Sequence, residues 1–138
     1  MKKWVIGLVV VAALVGSFFA FSTPAKNDAT KTASTKTSIT SFSQVQTAVK
    51  NSGQLLDVRT ADEYIAGHID GAINFSLQDL QAGKRPTGAK GRALFVYCRS
   101  GNRSGQATTI LKAAGYTNIT DLGAIAHVQA IGGKLVAN

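Results

Sequence analysis

The chain has one cysteine, Cys98, in the stretch Val96-Tyr-Cys-Arg-Ser-Gly-Asn-Arg-Ser-Gly-Gln106. A lone cysteine after an apolar run is commonly a small buried hydrophobe. Its neighbours are wrong for that use, because Arg99, Ser100, Gly101, Asn102, Arg103 and Ser104 follow it directly. Gly101 permits backbone geometry that other residues resist, so this segment can bend around the sulfur. Successive N–H groups in such a turn, with the positive end of a following helix, form a concave anion site. A thiolate at its centre is stabilised and its pKa lowered, which makes it a nucleophile.

The elements that must position this loop are legible in the surrounding pattern. Ser41 to Gln44 has capping-box spacing ahead of Val45, Ala48 and Val49, which predicts a helix. Gln54 to Val58 reads as a short buried strand. Thr60 to Glu63 is a second capping box, opening a helix through Ile65 that Gly67 closes. Gly71 to Asn74 is strand-like, Ser76 caps Leu77 to Gln81, and 83–91 is a loop. Ala93 to Tyr97 is a strand. Beyond the cysteine, Ala107, Ile110, Leu111 and Ala114 recur at helical spacing, so an amphipathic helix runs from Asn102 or Arg103 to Ala114 and stops at Gly115. Asn118 to Leu122 is the last predicted strand. Strands alternating with helices at these lengths predict an α/β fold, a parallel sheet covered on both faces. Cys98 then ends a strand and enters a helix, where open α/β sheets place their ligand sites.

Cys98-Arg-Ser-Gly-Asn-Arg-Ser104 resembles the active-site loop of the rhodanese (thiosulfate sulfurtransferase) family, usually Cys-x-x-Gly-x-Arg-Ser/Thr. Leu55 to Asn74, with Asp57-Val-Arg59 and Gly67-His-Ile69, is similar to that family's other hallmark segment. The resemblance covers Ser41 to Asn138. It departs at Leu122-Gly-Ala-Ile-Ala-His127, where the family often carries Gly-Gly and a Trp. The resemblance implies a single domain with a five-stranded parallel sheet, helices on both faces, and a Cys98 persulfide that moves sulfur from a donor such as thiosulfate to cyanide or an external thiol. No metal or organic cofactor is implied. Arg99 would draw an anionic donor and Arg103 would steady the loop. Asp57 and Arg59 would support it from a neighbouring strand end, and His68 would serve packing or hydrogen bonding. His127 has no assigned role. Phosphatases built on a related cysteine loop read Cys-x5-Arg, whereas Arg103 follows Cys98 after four residues. The smaller ring suits one added sulfur and crowds a phosphoryl group, which ranks phosphatase or arsenate reductase below sulfur transfer. A sulfur-carrier or redox-sensing module serving a partner protein is the other alternative.

Composition bounds the rest. The 138 residues carry a formal charge of +8, but residues 1–39 hold five Lys and one Asp, half of that excess. With few aromatics and no basic helix, nucleic-acid binding is not expected. Lys84, Arg85, Lys90 and Arg92 precede the strand that ends in Cys98 and belong to a solvated surface at the opposite sheet edge. Lys2 and Lys3 precede an uncharged run from Trp4 to Phe21, about 27 Å long as a helix and close to the thickness of a bilayer core. Residues 1–22 therefore read as a hydrophobic N-terminal helix, either a membrane anchor or a signal peptide cleaved near Ala20 to Ser22. Both readings put the rest of the chain outside the cytoplasm. Residues 23–40, rich in Ser, Thr, Ala and Lys, form a spacer with too little apolar surface to order itself, and 41–138 form the domain. With a single cysteine no internal disulfide exists, and an external thiol must complete any persulfide cycle.

Overall fold

A computed structural model describes residues 38–137. The predicted hydrophobic helix and most of the spacer lie outside the described residues. Among the described residues no helix is long and apolar enough to cross a membrane.

Among the described residues eleven elements follow one another: α1 (Phe42–Lys50), β1 (Gln54–Asp57), α2 (Ala61–Ala66), β2 (His68–Ile69), β3 (Ala72–Asn74), α3 (Leu77–Gln81), β4 (Leu94–Cys98), α4 (Asn102–Ala113), β5 (Ile119–Ala124), α5 (Ile125–Ala130) and β6 (Leu135–Val136). The capping boxes form as spaced. Ser41 and Gln44 exchange bonds at the start of α1, Thr60 and Glu63 at the start of α2, and the Ser76 hydroxyl accepts from Asp79 N at the start of α3. Each hydroxyl satisfies an amide that the first helical turn leaves without a partner.

The main sheet is parallel and runs β3-β1-β4-β5. It has four strands, which corrects the expected five. The remaining extended residues form a separate antiparallel ribbon, in which His68 pairs with Val136 and Ile69 with Leu135. Two-residue strands carry no period for a sequence pattern to reveal, and this pair is joined across most of the domain. The short helix α5 likewise carries no side-chain cap to mark it in the sequence.

Strand alternation divides the core. Leu56, Leu94, Val96 and Cys98 face Leu77 and Leu80 of α3 and Ala107 and Leu111 of α4. Leu55, Phe95 and Tyr97 face Phe42 and Val45 of α1 and Val128 of α5. Helices therefore cover both faces, as expected. Burying each of these large side chains contributes about 1.5–3 kcal/mol.

Strand order also fixes where a ligand can sit. From β1 the chain passes to β3 on one side, and β4 lies on the other side, followed by β5 beyond it. The direction of winding thus reverses between β1 and β4, and the crevice outside their carboxyl ends is the switch point at which such sheets bind ligands. Asp57 ends β1 and Cys98 ends β4, with Asp57 in register with Tyr97.

Candidate active site

Cys98 is the last residue of a strand buried along its whole length, and its own exposure is 0%. The chain then turns through exposed Arg99 and Ser100 into Gly101, whose φ of 96° lies in the left-handed region. That geometry turns the Gly101 amide back, and Gly101 N donates to Cys98 Sγ at 3.0 Å. A side chain at Gly101 would carry the cost of a left-handed φ, while its Cβ would meet Gly123 Cα at an ordinary contact distance of 3.7 Å. Gly101 is also the N-cap of α4, with no side-chain cap. The cap position of this 12-residue helix therefore turns its own amide to the sulfur.

Electrostatics follow from this arrangement. Burial alone raises the Cys98 thiol. The amides of Ser104, Ser100 and Gly101 and the Ser104 hydroxyl outweigh that, and the net pKa lies below the ordinary thiol value. In the resting geometry the buried Ser104 hydroxyl donates to Gly101 O at 2.9 Å, closing the turn from within. Asn102 is exposed and its Oδ1 accepts from Gln106. Arg103 pairs with Glu63 through two bonds, Nη1 to Oε2 at 2.6 Å and Nη2 to Oε1 at 2.8 Å. Among the described residues Arg99, exposed and directly after the cysteine, is in no ion pair.

The strand end beside the loop carries a buried polar knot. Asp57 is fully buried and accepts from Arg59 N at 2.9 Å, from Arg59 Nε at 3.0 Å and Nη2 at 2.6 Å, and from the Tyr97 hydroxyl at 2.7 Å. Arg59 Nη2 also reaches Gly67 O, and Tyr97 accepts from Ile69 N. Burial, with the Asp57 carboxylate alongside, pushes the Tyr97 phenol up, so it remains a donor. The knot makes no hydrogen bond to residues 99–104. It fixes Tyr97, one residue before the cysteine, on the face of the sheet opposite the sulfur.

His68 is buried, its ring stacked on Tyr64 at 3.8 Å between centroids and its Nδ1 3.0 Å from Tyr64 O, which gives it a packing partner within α2. The four basic residues ahead of β4 do more than face solvent. Lys90 donates to Ala114 O at the end of α4, Arg85 to Leu80 O at the end of α3, Lys84 pairs with Asp79, and Arg92 donates to Thr87 O. Cations at helix C-termini meet carbonyls without intrahelical partners.

Two residues near the site make contacts that no local signal reveals. Glu63 reads as a cap in the sequence, and its second partner, Arg103, lies 40 residues away. Asp121, the partner of Val96 in β5, lies beside α4. Its Oδ1 accepts from Gly123 N, and its Oδ2 lies 3.8 Å from where a Cβ on Gly105 would be, a full turn into the helix. Among the described residues no three His, Cys, Asp or Glu side chains converge as a metal site requires. A groove of about 160 Å³ beside α1, lined by Phe42, Val45, Val49 and Leu55, lies on the other face of the sheet and shares no residue with the loop.

The domain is similar to known proteins. The family model for the rhodanese-like domain matches residues 41–124. The thiosulfate sulfurtransferase PspE of Escherichia coli (strain K12) is 36% identical over 76 residues, 53% of this chain and 71% of the relative. Thiosulfate sulfurtransferase 18 of Arabidopsis thaliana is 34% identical over 94 residues, 59% of this chain and 69% of that protein. A solved structure described as rhodanese with anions from E. coli superposes with a TM-score of 0.52 at 32% identity, covering 62% of this chain and 99% of its own.

Proposed function

The chain belongs to the rhodanese-like domain family, and from that premise we propose that it is a sulfurtransferase working through a persulfide on Cys98. The Cys98 thiolate attacks the outer sulfur of a donor such as thiosulfate. A bond forms between the two sulfurs, the donor's S–S bond breaks, and sulfite leaves with its electron pair. The terminal sulfur of the persulfide is then attacked by a thiolate or cyanide, and Cys98 returns as the thiolate. Because the chain has no second cysteine, the acceptor is external. The chemistry asks for no metal or organic cofactor.

The observation that carries this reading is the placement of Cys98 Sγ among amides of its own loop, with Gly101 N at 3.0 Å. The same donors that lower the thiol pKa can hold the negative charge as it moves outward to the terminal sulfur. Arg99, in no ion pair among the described residues, supplies a cation at the mouth for a dianionic donor. The proposal extends to location: Lys2 and Lys3 before the uncharged run Trp4 to Phe21 support a domain held or released outside the cytoplasm.

Mass spectrometry of the purified protein after exposure to thiosulfate tests it directly. Wild type should gain the mass of one sulfur atom and release it on addition of cyanide or a thiol, whereas Cys98→Ser should gain none while remaining folded. Sulfur uptake by Cys98→Ser would exclude the mechanism. Loading of Cys98 with very slow turnover of free thiosulfate would instead favour a carrier serving a partner protein.

A further inference from the structure

The start of α4 is held in an unusual way. Gly101 has no side chain with which to cap the helix, and a capping oxygen there would compete with the sulfur for the same amides. The hold comes from another helix. Arg103, the second residue of α4, grips Glu63 of α2 through two bonds, and both side chains are about three-quarters buried, at 25% and 26% exposure. Glu63 is itself fixed, since its Oε2 also accepts from Thr60 N at 3.1 Å and Thr60 Oγ1 at 3.2 Å. A single carboxylate thus closes the capping box of α2 and anchors the uncapped start of α4.

We propose that Glu63 is a positioning residue for the reaction at Cys98: through Arg103 it keeps the first turn of α4, and with it the ring of amide donors, closed on the sulfur. Only the kinetic consequence rests on the sulfur-transfer reading. The preference of Cys98 for its thiolate follows whatever reaction the loop performs.

The sign of one measurement separates positioning from simple charge. Removing a negative charge near a thiolate favours the thiolate and lowers its pKa. Letting the donor ring open removes stabilising hydrogen bonds and raises it. Glu63→Gln keeps the cap, because Gln44 fills the equivalent place in the α1 box, where its Oε1 accepts from Thr40 N and Ser41 N. A neutral amide lacks the second charge-assisted oxygen that the guanidinium uses. Glu63→Asp keeps the charge and falls one methylene short.

The test is the rate of Cys98 alkylation by iodoacetamide against pH in the full chain and in both variants, with thermal unfolding of the same samples to establish that they are folded. Both variants should raise the alkylation midpoint by about one pH unit. In thiosulfate turnover kcat should fall about tenfold with a smaller change in KM. A midpoint that falls or stays unchanged in either folded variant overturns the proposal. Should wild type take no sulfur from thiosulfate, the sulfur-transfer reading fails, and the alkylation midpoints still decide the role of Glu63.

Discussion

At the scale of single residues the site separates into groups that touch the sulfur and groups that hold those in place. The loop amides act on Cys98 directly. Asp57 and Arg59 hold Tyr97, the residue before the cysteine, and their value depends on being paired, because each is almost wholly buried. A charge in that setting is tolerable only while its partner remains. Replacing Asp57 by Asn leaves the Arg59 guanidinium facing a neutral amide, and we expect a loss of about 3–5 kcal/mol in urea unfolding, the range for breaking a buried pair. A loss under about 1 kcal/mol would show that the knot contributes no more than an exposed ion pair does.

At the scale of elements the two helices flanking the loop share one carboxylate, and this coupling has a pH signature. The Arg103 guanidinium holds the Glu63 carboxyl at about 2, against the burial that would raise it and with help from Thr60. The folded pKa lies below the unfolded one, near 4.3, so the stabilisation is fully present above the unfolded value and disappears as pH falls towards the folded one. The melting temperature should therefore decline between about pH 5 and about pH 2, and Glu63→Gln should flatten part of that decline. Melting curves of the two proteins across that window check it. Parallel slopes would mean that the α2 to α4 contact is not coupled to folding. Asp79, held low mainly by Lys84 and Ser76, titrates in the same direction and remains in both proteins.

At the scale of the whole molecule the parallel sheet brings two strand ends together at the reversal between β1 and β4, and the loop occupies that crevice. Location belongs to this scale as well. The chain expressed from Met1 should be recovered in the membrane fraction, with residues 23–138 open to protease from the outer side. Full-length protein confined to the cytosol would sink this expectation. A shorter soluble form outside would select the cleaved signal over the anchor.

Whatever depends on residues close together in the chain is legible in the sequence. The loop from Cys98 to Ser104 is contiguous, its turn is set by Gly101, and the caps at Ser41, Thr60 and Ser76 each reach only two or three residues ahead. Interactions of that range are encoded by spacing alone. The identity of Cys98 as a candidate nucleophile needed no more than its neighbours. The long-range pairings emerge only on folding: Arg103 with Glu63, Tyr97 with Asp57, and the ribbon of residues 68–69 with 135–136 that stands where a fifth strand is expected. Such contacts are set by strand order, by the register that puts Asp57 opposite Tyr97, and by the extra residue in β5 that lays Gly123 against Gly101. A carboxylate that caps its own helix looks the same in the sequence whether or not a guanidinium 40 residues away folds against it.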